Sequence, residues 1–205
     1  MSVRTRIILP VWGTLLYIIL YLIAAGLYPG GSDIDKTSRG FSWLHNYWCE
    51  LMASVAQNGE ANRARVIAIT AMFVLAISLG LFWYYVPLLF SGNRKGSLIM
   101  RYCGIGSMMA LPLFFTGNHD LTINIAGVLG CTAIIILLVN LFYYRYFFAF
   151  GMGIACLLLC GLNNYVYYYH VQWMYYLPVI QKISFAVFLA WFCLLSISNY
   201  LRWKI

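Results

Sequence analysis

The chain has 205 residues, of which 63% are hydrophobic and only 9% are charged. This balance excludes an ordinary soluble domain, because about a quarter of the residues in soluble proteins are charged. The formal charge of +8 does not indicate a nucleic-acid partner, since most of the 13 basic residues stand singly or in pairs beside apolar segments.

Long apolar segments recur along the whole chain. A bilayer core of about 30 Å needs about 20 apolar residues per helix. Six segments approach or exceed this length: residues 7–27, 66–90, 98–115, 121–141, 146–167 and 178–200. They are continuously apolar, whereas the strands of a membrane barrel alternate apolar and polar residues. The sequence therefore predicts an all-α fold, a polytopic transmembrane helical bundle of six spans that forms a single domain over residues 1–205.

The first segment has the basic start of a signal peptide, but we expect it to be retained because it ends at LYPGG (27–31) without a small-residue cleavage site. Lysine and arginine then mark every second connection between the spans, as on the cytoplasmic side of membrane proteins. Both ends are thus expected in the cytoplasm, and short loops without outer glycosylation sequons favour a bacterial cytoplasmic (inner) membrane. The basic residues are Arg4, Arg6, Arg94, Lys95, Arg101, Arg145, Arg202 and Lys204.

The connection between the first two spans, residues 29–65, is the only long one. Apolar residues recur at helical spacing over residues 41–55, which predicts an extracytoplasmic amphipathic helix at the membrane surface. Two roles stay open for this helix. It packs on the bundle as a lid, or it faces a substrate.

The three histidines all lie in connections that this topology places on the outer side: His45, His119 and His170. Glu50 in the long loop and Asp120 accompany them. Histidine and carboxylate ligands with an open position suit zinc, which activates bound water for hydrolysis. The histidines are therefore candidate zinc ligands, with Asp120 or Glu50 as a further ligand or general base. Hydrogen bonding among the outer loops explains the same residues, because no compact motif such as H-E-x-x-H is present.

Polar residues near the outer ends of the spans form a second candidate site. Asn163 and Asn164 lie in the fifth span, where hydrocarbon offers no hydrogen-bond partner, so we expect them to face the bundle. With Trp48 and Lys182 they are candidates for a polar pocket that binds a lipid headgroup, although contacts between helices explain such amides as well. No acidic residue lies deep in a span, which argues against a proton-driven or cation-driven transporter.

Three short segments carry a resemblance to known proteins: residues 41–51 (FSWLHNYWCEL), 161–164 (GLNN) and 177–182 (LPVIQK). They resemble bacterial six-span proteins of unknown function that are grouped loosely with DRAM-like membrane proteins, which implies no activity and no catalytic residues. The histidines and Asp120 are also similar to the zinc-binding residues of the alkaline ceramidase and progestin-receptor-like hydrolase superfamily. That resemblance implies zinc and a hydrolase, but this chain has six spans rather than seven and lacks the paired histidines of one late span.

Three functional hypotheses follow. The first is a non-catalytic membrane component that binds lipids or a membrane-protein partner, because complete catalytic motifs are absent. The second is a metal-dependent hydrolase acting on a lipid or amide at the outer leaflet, and bound metal would distinguish it from the first. The third is a small-solute transporter with a pathway lined by Asn and Tyr, which inverted repeats would favour.

Overall fold

The computed structural model describes residues 2–90, 94–110 and 119–202, and the side chains of residues 94, 119–123 and 171 lie outside the described part. Within these residues the fold is all-helical, with two isolated β-bridges and no strand. The predicted all-α class is therefore confirmed. The α-helices of the described chain are α1 (Val3–Leu27), α2 (Arg65–Tyr85), α3 (Arg94–Ala110), α4 (His119–Tyr143), α5 (Phe147–Tyr169) and α6 (Leu177–Arg202).

Five segments of the described chain are long and apolar enough to cross a membrane, as expected of an integral membrane protein. They are Val3–Leu27, Arg65–Leu89, Asn124–Tyr143, Phe147–Tyr169 and Leu177–Arg202. The third predicted span, 98–115, overlaps α3, and its last residues lie outside the described part of the chain. The count of six spans and the orientation with both ends in the cytoplasm stay predictions.

The chain divides into two compact units. Unit 1 consists of Met1–Leu15, Phe73–Ile154 and Ala190–Ile205, and unit 2 consists of Leu16–Met72 and Ala155–Leu189. The divisions fall inside α1, α2, α5 and α6, so each of these helices contributes residues to both units. Unit 1 also contains α3 and α4, whereas unit 2 contains the long loop between α1 and α2. The single domain over residues 1–205 stays a prediction.

Aromatic side chains of α2 and α6 form the core of unit 1. Phe82, Trp83, Trp191 and Phe192 are all buried, and the ring centroids of Phe82 and Phe192 lie 4.6 Å apart. The indole Nε1 of Trp191 donates a 2.7 Å hydrogen bond to the carbonyl of Ala149 on α5. This bond satisfies the one polar atom of a buried ring and joins α6 to α5.

The turn between α4 and α5 ends α4 with a left-handed residue. The amide of Tyr146 donates to the carbonyl of Leu141 over 2.8 Å, and the amide of Arg145 donates to the carbonyl of Phe142 over 3.1 Å. Arg145 has a φ of 61°. Glycine usually occupies this position of the Schellman motif because it has no Cβ to clash. Arg145 therefore ends the helix with a conformation that disfavours a side chain.

The loop of unit 2 differs from the prediction. It contains one short 3₁₀ helix, Trp48–Met52, and no α-helix, so the amphipathic helix predicted over residues 41–55 is wrong. The apolar residues of this segment do not share a buried face, because Leu44 is 60% exposed and Val55 is 54% exposed.

Side-chain amides take over the backbone hydrogen bonds that an α-helix would make in this loop. The side-chain oxygen of Asn46 accepts a 2.7 Å hydrogen bond from the amide of Ser42. The side-chain Nδ2 of the buried Asn62 lies 2.9–3.1 Å from three backbone carbonyl oxygens of the loop, those of Glu50, Leu51 and Ala53. Asparagine side chains compete with helical hydrogen bonds in this way.

Candidate functional site

Glu50 lies in the polar core of the loop in unit 2. Its side chain is buried, and its carboxylate accepts hydrogen bonds from Nδ2 of Asn46 and, over 3.2 Å, from Nε2 of Gln57. Among the described residues Glu50 forms no ion pair, whereas Lys36 and Asp33 do, at 3.2 Å. Burial raises the pKa of Glu50 above its ordinary value, and the hydrogen bonds from Asn46 and Gln57 oppose this shift in part. These contacts give Glu50 a place in holding the loop together.

Two neighbouring residues of α6 bind backbone groups of the loop. The Nζ atom of Lys182 donates to the carbonyl of Asn46 over 2.5 Å, and the side-chain oxygen of Gln181 accepts from the amide of Trp48 over 3.1 Å. Asn46 therefore receives the lysine on its carbonyl and donates to Glu50 through its side chain. Lys182, a predicted pocket residue, anchors the loop to α6.

Trp48 fixes the same loop to α1. Its indole Nε1 donates to the hydroxyl of Tyr17 over 2.6 Å, and its ring stacks on Tyr21 with centroids 4.9 Å apart. The hydroxyl of Tyr21 in turn donates to the carbonyl of Trp48 over 3.2 Å. The sequence predicts Trp48 beside Asn163 and Asn164 in a polar pocket, but its ring packs against α1, and Trp48 does not line the groove that holds the two asparagines.

A groove of 340 Å³ lies between the loop, α5 and α6, within unit 2. We call it the amide groove because three side-chain amides line it. Among its lining residues none is charged. The lining residues are Tyr47, Cys49, Asn163, Asn164, Tyr167, Leu177 and Gln181.

The two asparagines of the amide groove differ in their surroundings. Asn163 is half-buried, and its Nδ2 donates to the hydroxyl of Ser184 on α6 over 2.6 Å. Asn164 is exposed, contrary to the expectation that both residues face the bundle, and its Nδ2 donates to the carbonyl of Cys160 over 2.9 Å. Among the described residues no donor pairs with either side-chain oxygen. Both acceptors are therefore available to a ligand in the groove.

A smaller groove of 190 Å³ adjoins the same loop, and Tyr47 lines both grooves. The imidazole Nε2 of His45 lies 3.0 Å from the hydroxyl of Tyr175, and both side chains line this second groove. Asp33 is its charged residue. Tyr47 thus separates an uncharged groove from one that carries a histidine and a carboxylate.

Each of the two described histidines lies within hydrogen-bond distance of a tyrosine hydroxyl. His45 pairs with Tyr175, and Nε2 of His170 lies 2.7 Å from the hydroxyl of Tyr165. His119 and Asp120 begin α4, and their side chains lie outside the described residues. Among the side chains that the structure describes, no group of three or more His, Cys, Asp or Glu residues has the arrangement of a metal site. The zinc site that includes His119 stays a prediction.

No family model, curated protein or solved structure matches this chain. The resemblances to DRAM-like proteins and to the ceramidase superfamily therefore stay predictions.

Sequence reasoning found two of the groove's amides and missed the third. Gln181 lies near the start of α6, and it is a polar residue in an apolar span just as Asn163 is. The argument that hydrocarbon offers no hydrogen-bond partner applies to it equally, so this signal was available. Tyr47 and Tyr167 had no such signal, because tyrosines are common at membrane interfaces in any case.

Proposed function

We propose that this chain is a non-catalytic membrane protein that binds the polar headgroup of a lipid in the amide groove. The exposed amide of Asn164 carries this proposal. It lies on α5, a helix apolar enough to cross a membrane, and its oxygen has no donor among the described residues. A polar group without a partner in an apolar environment costs free energy, and a ligand with hydroxyl or amide donors removes that cost.

The chemistry of the lining residues narrows the class of headgroup. Amides donate and accept hydrogen bonds at once, which suits hydroxyl-rich or amide-containing groups. No lysine or arginine lines the groove, so a headgroup with a net negative charge would lack a cation to pair with. We therefore propose a lipid with an uncharged or zwitterionic headgroup, its hydroxyl or amide donors directed at Asn163 and Asn164.

The test is to count the lipid that stays with the purified chain. The chain is extracted into polymer-bounded nanodiscs, transferred to mild detergent, and its retained lipids are identified and quantified by mass spectrometry. We expect about one tightly held polar lipid per wild-type chain. Asn164→Leu removes one hydrogen-bonding group worth about 0.5–1.5 kcal/mol, so its lipid affinity should fall about two- to tenfold.

The matched control is Asn124→Leu, the same change at an exposed position of α4 that does not line the amide groove. This variant should retain the lipid as wild type does. Equal retention by Asn164→Leu and wild type would contradict the proposal. Elemental analysis of the same preparation tests the alternative hypothesis of a metal-dependent hydrolase. About one zinc per chain in wild type, lost when His45, His119 and His170 are replaced by alanine, would favour the hydrolase.

A further inference from the structure

A third and larger groove lies in unit 1 between α3 and α4, with a volume of 600 Å³. We call it the α3–α4 groove. Its walls differ from those of the amide groove, because four branched aliphatic side chains and a lysine are among its lining residues. The lining residues used below are Lys95 and Ile99 of α3 with Ile135, Val139, Asn140 and Tyr143 of α4.

Small residues hold α3 and α4 close together away from this groove. The hydroxyl of Ser107 on α3 donates to the carbonyl of Ala126 on α4 over 2.8 Å. A Cβ added to Gly130 would lie 3.0 Å from the same hydroxyl oxygen, so the helices approach closely there. The groove occupies the other end of the antiparallel pair, where Lys95 lies in the first turn of α3 and Tyr143 ends α4.

The polarity of the walls changes along the groove. Ile99, Ile135 and Val139 line the groove and are 49%, 57% and 62% exposed, so their apolar side chains are open to whatever fills the space. Lys95 and Tyr143 also line the groove, and both are exposed. Among the described acidic side chains none forms an ion pair with Lys95. An acyl chain fits the apolar walls and an anionic group fits the lysine.

The charge of unit 1 favours an anionic partner. By sequence it carries eight of the 13 basic residues and one of the five acidic residues, Asp120, whereas unit 2 carries the other five basic and four acidic residues. Basic clusters at the ends of membrane helices attract anionic lipids. Arg145 adds to this charge directly after Tyr144, another lining residue of the groove, at a position where glycine would be less strained.

We propose that the α3–α4 groove binds an anionic phospholipid, with one acyl chain against Ile99, Ile135 and Val139 and the phosphate beside Lys95. This site is separate from the amide groove in its residues and in the charge of its ligand. The two proposals therefore stand or fall independently.

The test is a lipid titration of the full-length chain in neutral detergent, followed by native mass spectrometry. The probes are phosphatidylglycerol, which is anionic, and phosphatidylcholine, which is zwitterionic. Wild type should bind phosphatidylglycerol more tightly. Lys95→Gln removes one charge beside the phosphate, worth about 1 kcal/mol, so phosphatidylglycerol affinity should fall about fivefold.

Two further variants keep the result specific. Val139→Phe places a larger side chain in the apolar part of the groove without changing the charge. It should also weaken phosphatidylglycerol binding. Lys36→Gln removes a charge from the loop of unit 2 and should bind phosphatidylglycerol as tightly as wild type does. The proposal is overturned if Lys95→Gln binds phosphatidylglycerol as wild type does, or if Lys36→Gln weakens it equally.

Discussion

Among individual residues, Glu50 shows most clearly how the loop depends on pH. Its pKa is raised by burial, so the folded chain binds the carboxyl proton more tightly than the unfolded chain does. The contribution of this group to the free energy of unfolding is therefore fully present below the unfolded pKa of about 4.3, and it is lost as the pH rises through the higher folded value.

Replacing Glu50 by glutamine should remove this pH dependence. Wild type should lose stability relative to Glu50→Gln as the pH rises from about 4 towards neutrality, because only wild type then has to bury a charge. The measurement is thermal unfolding of both proteins in detergent across that range. The difference between the two melting temperatures is the readout, since it cancels the contributions that both proteins share. Parallel curves for the two proteins would argue against a buried, titrating Glu50.

At the scale of single helices, two glycines of α5 offer a matched pair. A Cβ on Gly153 would lie 2.5 Å from a methyl carbon of Leu138 and 2.6 Å from the ring of Trp191, whereas a Cβ on Gly151 would have no atom within 4 Å. Trp191 is held by its hydrogen bond to Ala149 and is fully buried, so it has little freedom to move away. Only Gly153 is needed for close packing.

Alanine at these two positions should therefore change stability in opposite directions. Gly153→Ala should destabilise the chain by about 1–3 kcal/mol through overpacking. Gly151→Ala should stabilise it by up to about 1 kcal/mol, because alanine favours a helix over glycine. Melting temperatures of the detergent-purified variants measure both effects. Equal shifts in the two variants would mean that α5 does not pack against Leu138 and Trp191 as described.

The loop between α1 and α2 shows why a helical pattern does not always produce a helix. The apolar spacing over residues 41–55 fits an amphipathic helix, but the amides of Asn46 and Asn62 bind backbone groups of the same loop. A short segment gains little from helix formation by itself. Contacts of the loop with α1 and α6 therefore decide its conformation.

At the scale of the whole molecule, the orientation in the membrane follows from the distribution of lysine and arginine. We expect the loop containing Lys36 outside and the start of α3 containing Lys95 in the cytoplasm. The test places a single cysteine at Lys36 or Lys95 in a background without the six native cysteines and adds a membrane-impermeant maleimide to intact cells. Lys36→Cys should react at once and Lys95→Cys only after permeabilisation. The reverse pattern would show an inverted topology.

The sequence by itself determined the helices of this protein, because every backbone amide and carbonyl in hydrocarbon must be satisfied within its own segment, and long apolar segments can do this only as α-helices. It also pointed to Asn163 and Asn164, since polar groups stand out in apolar spans. Only the tertiary structure decided the loop and the groove beside it. The contacts that form them join residues far apart in the chain, Trp48 with Gln181 and Asn46 with Lys182. Periodicity reports on neighbours along one helix, so it carries no information about such pairs.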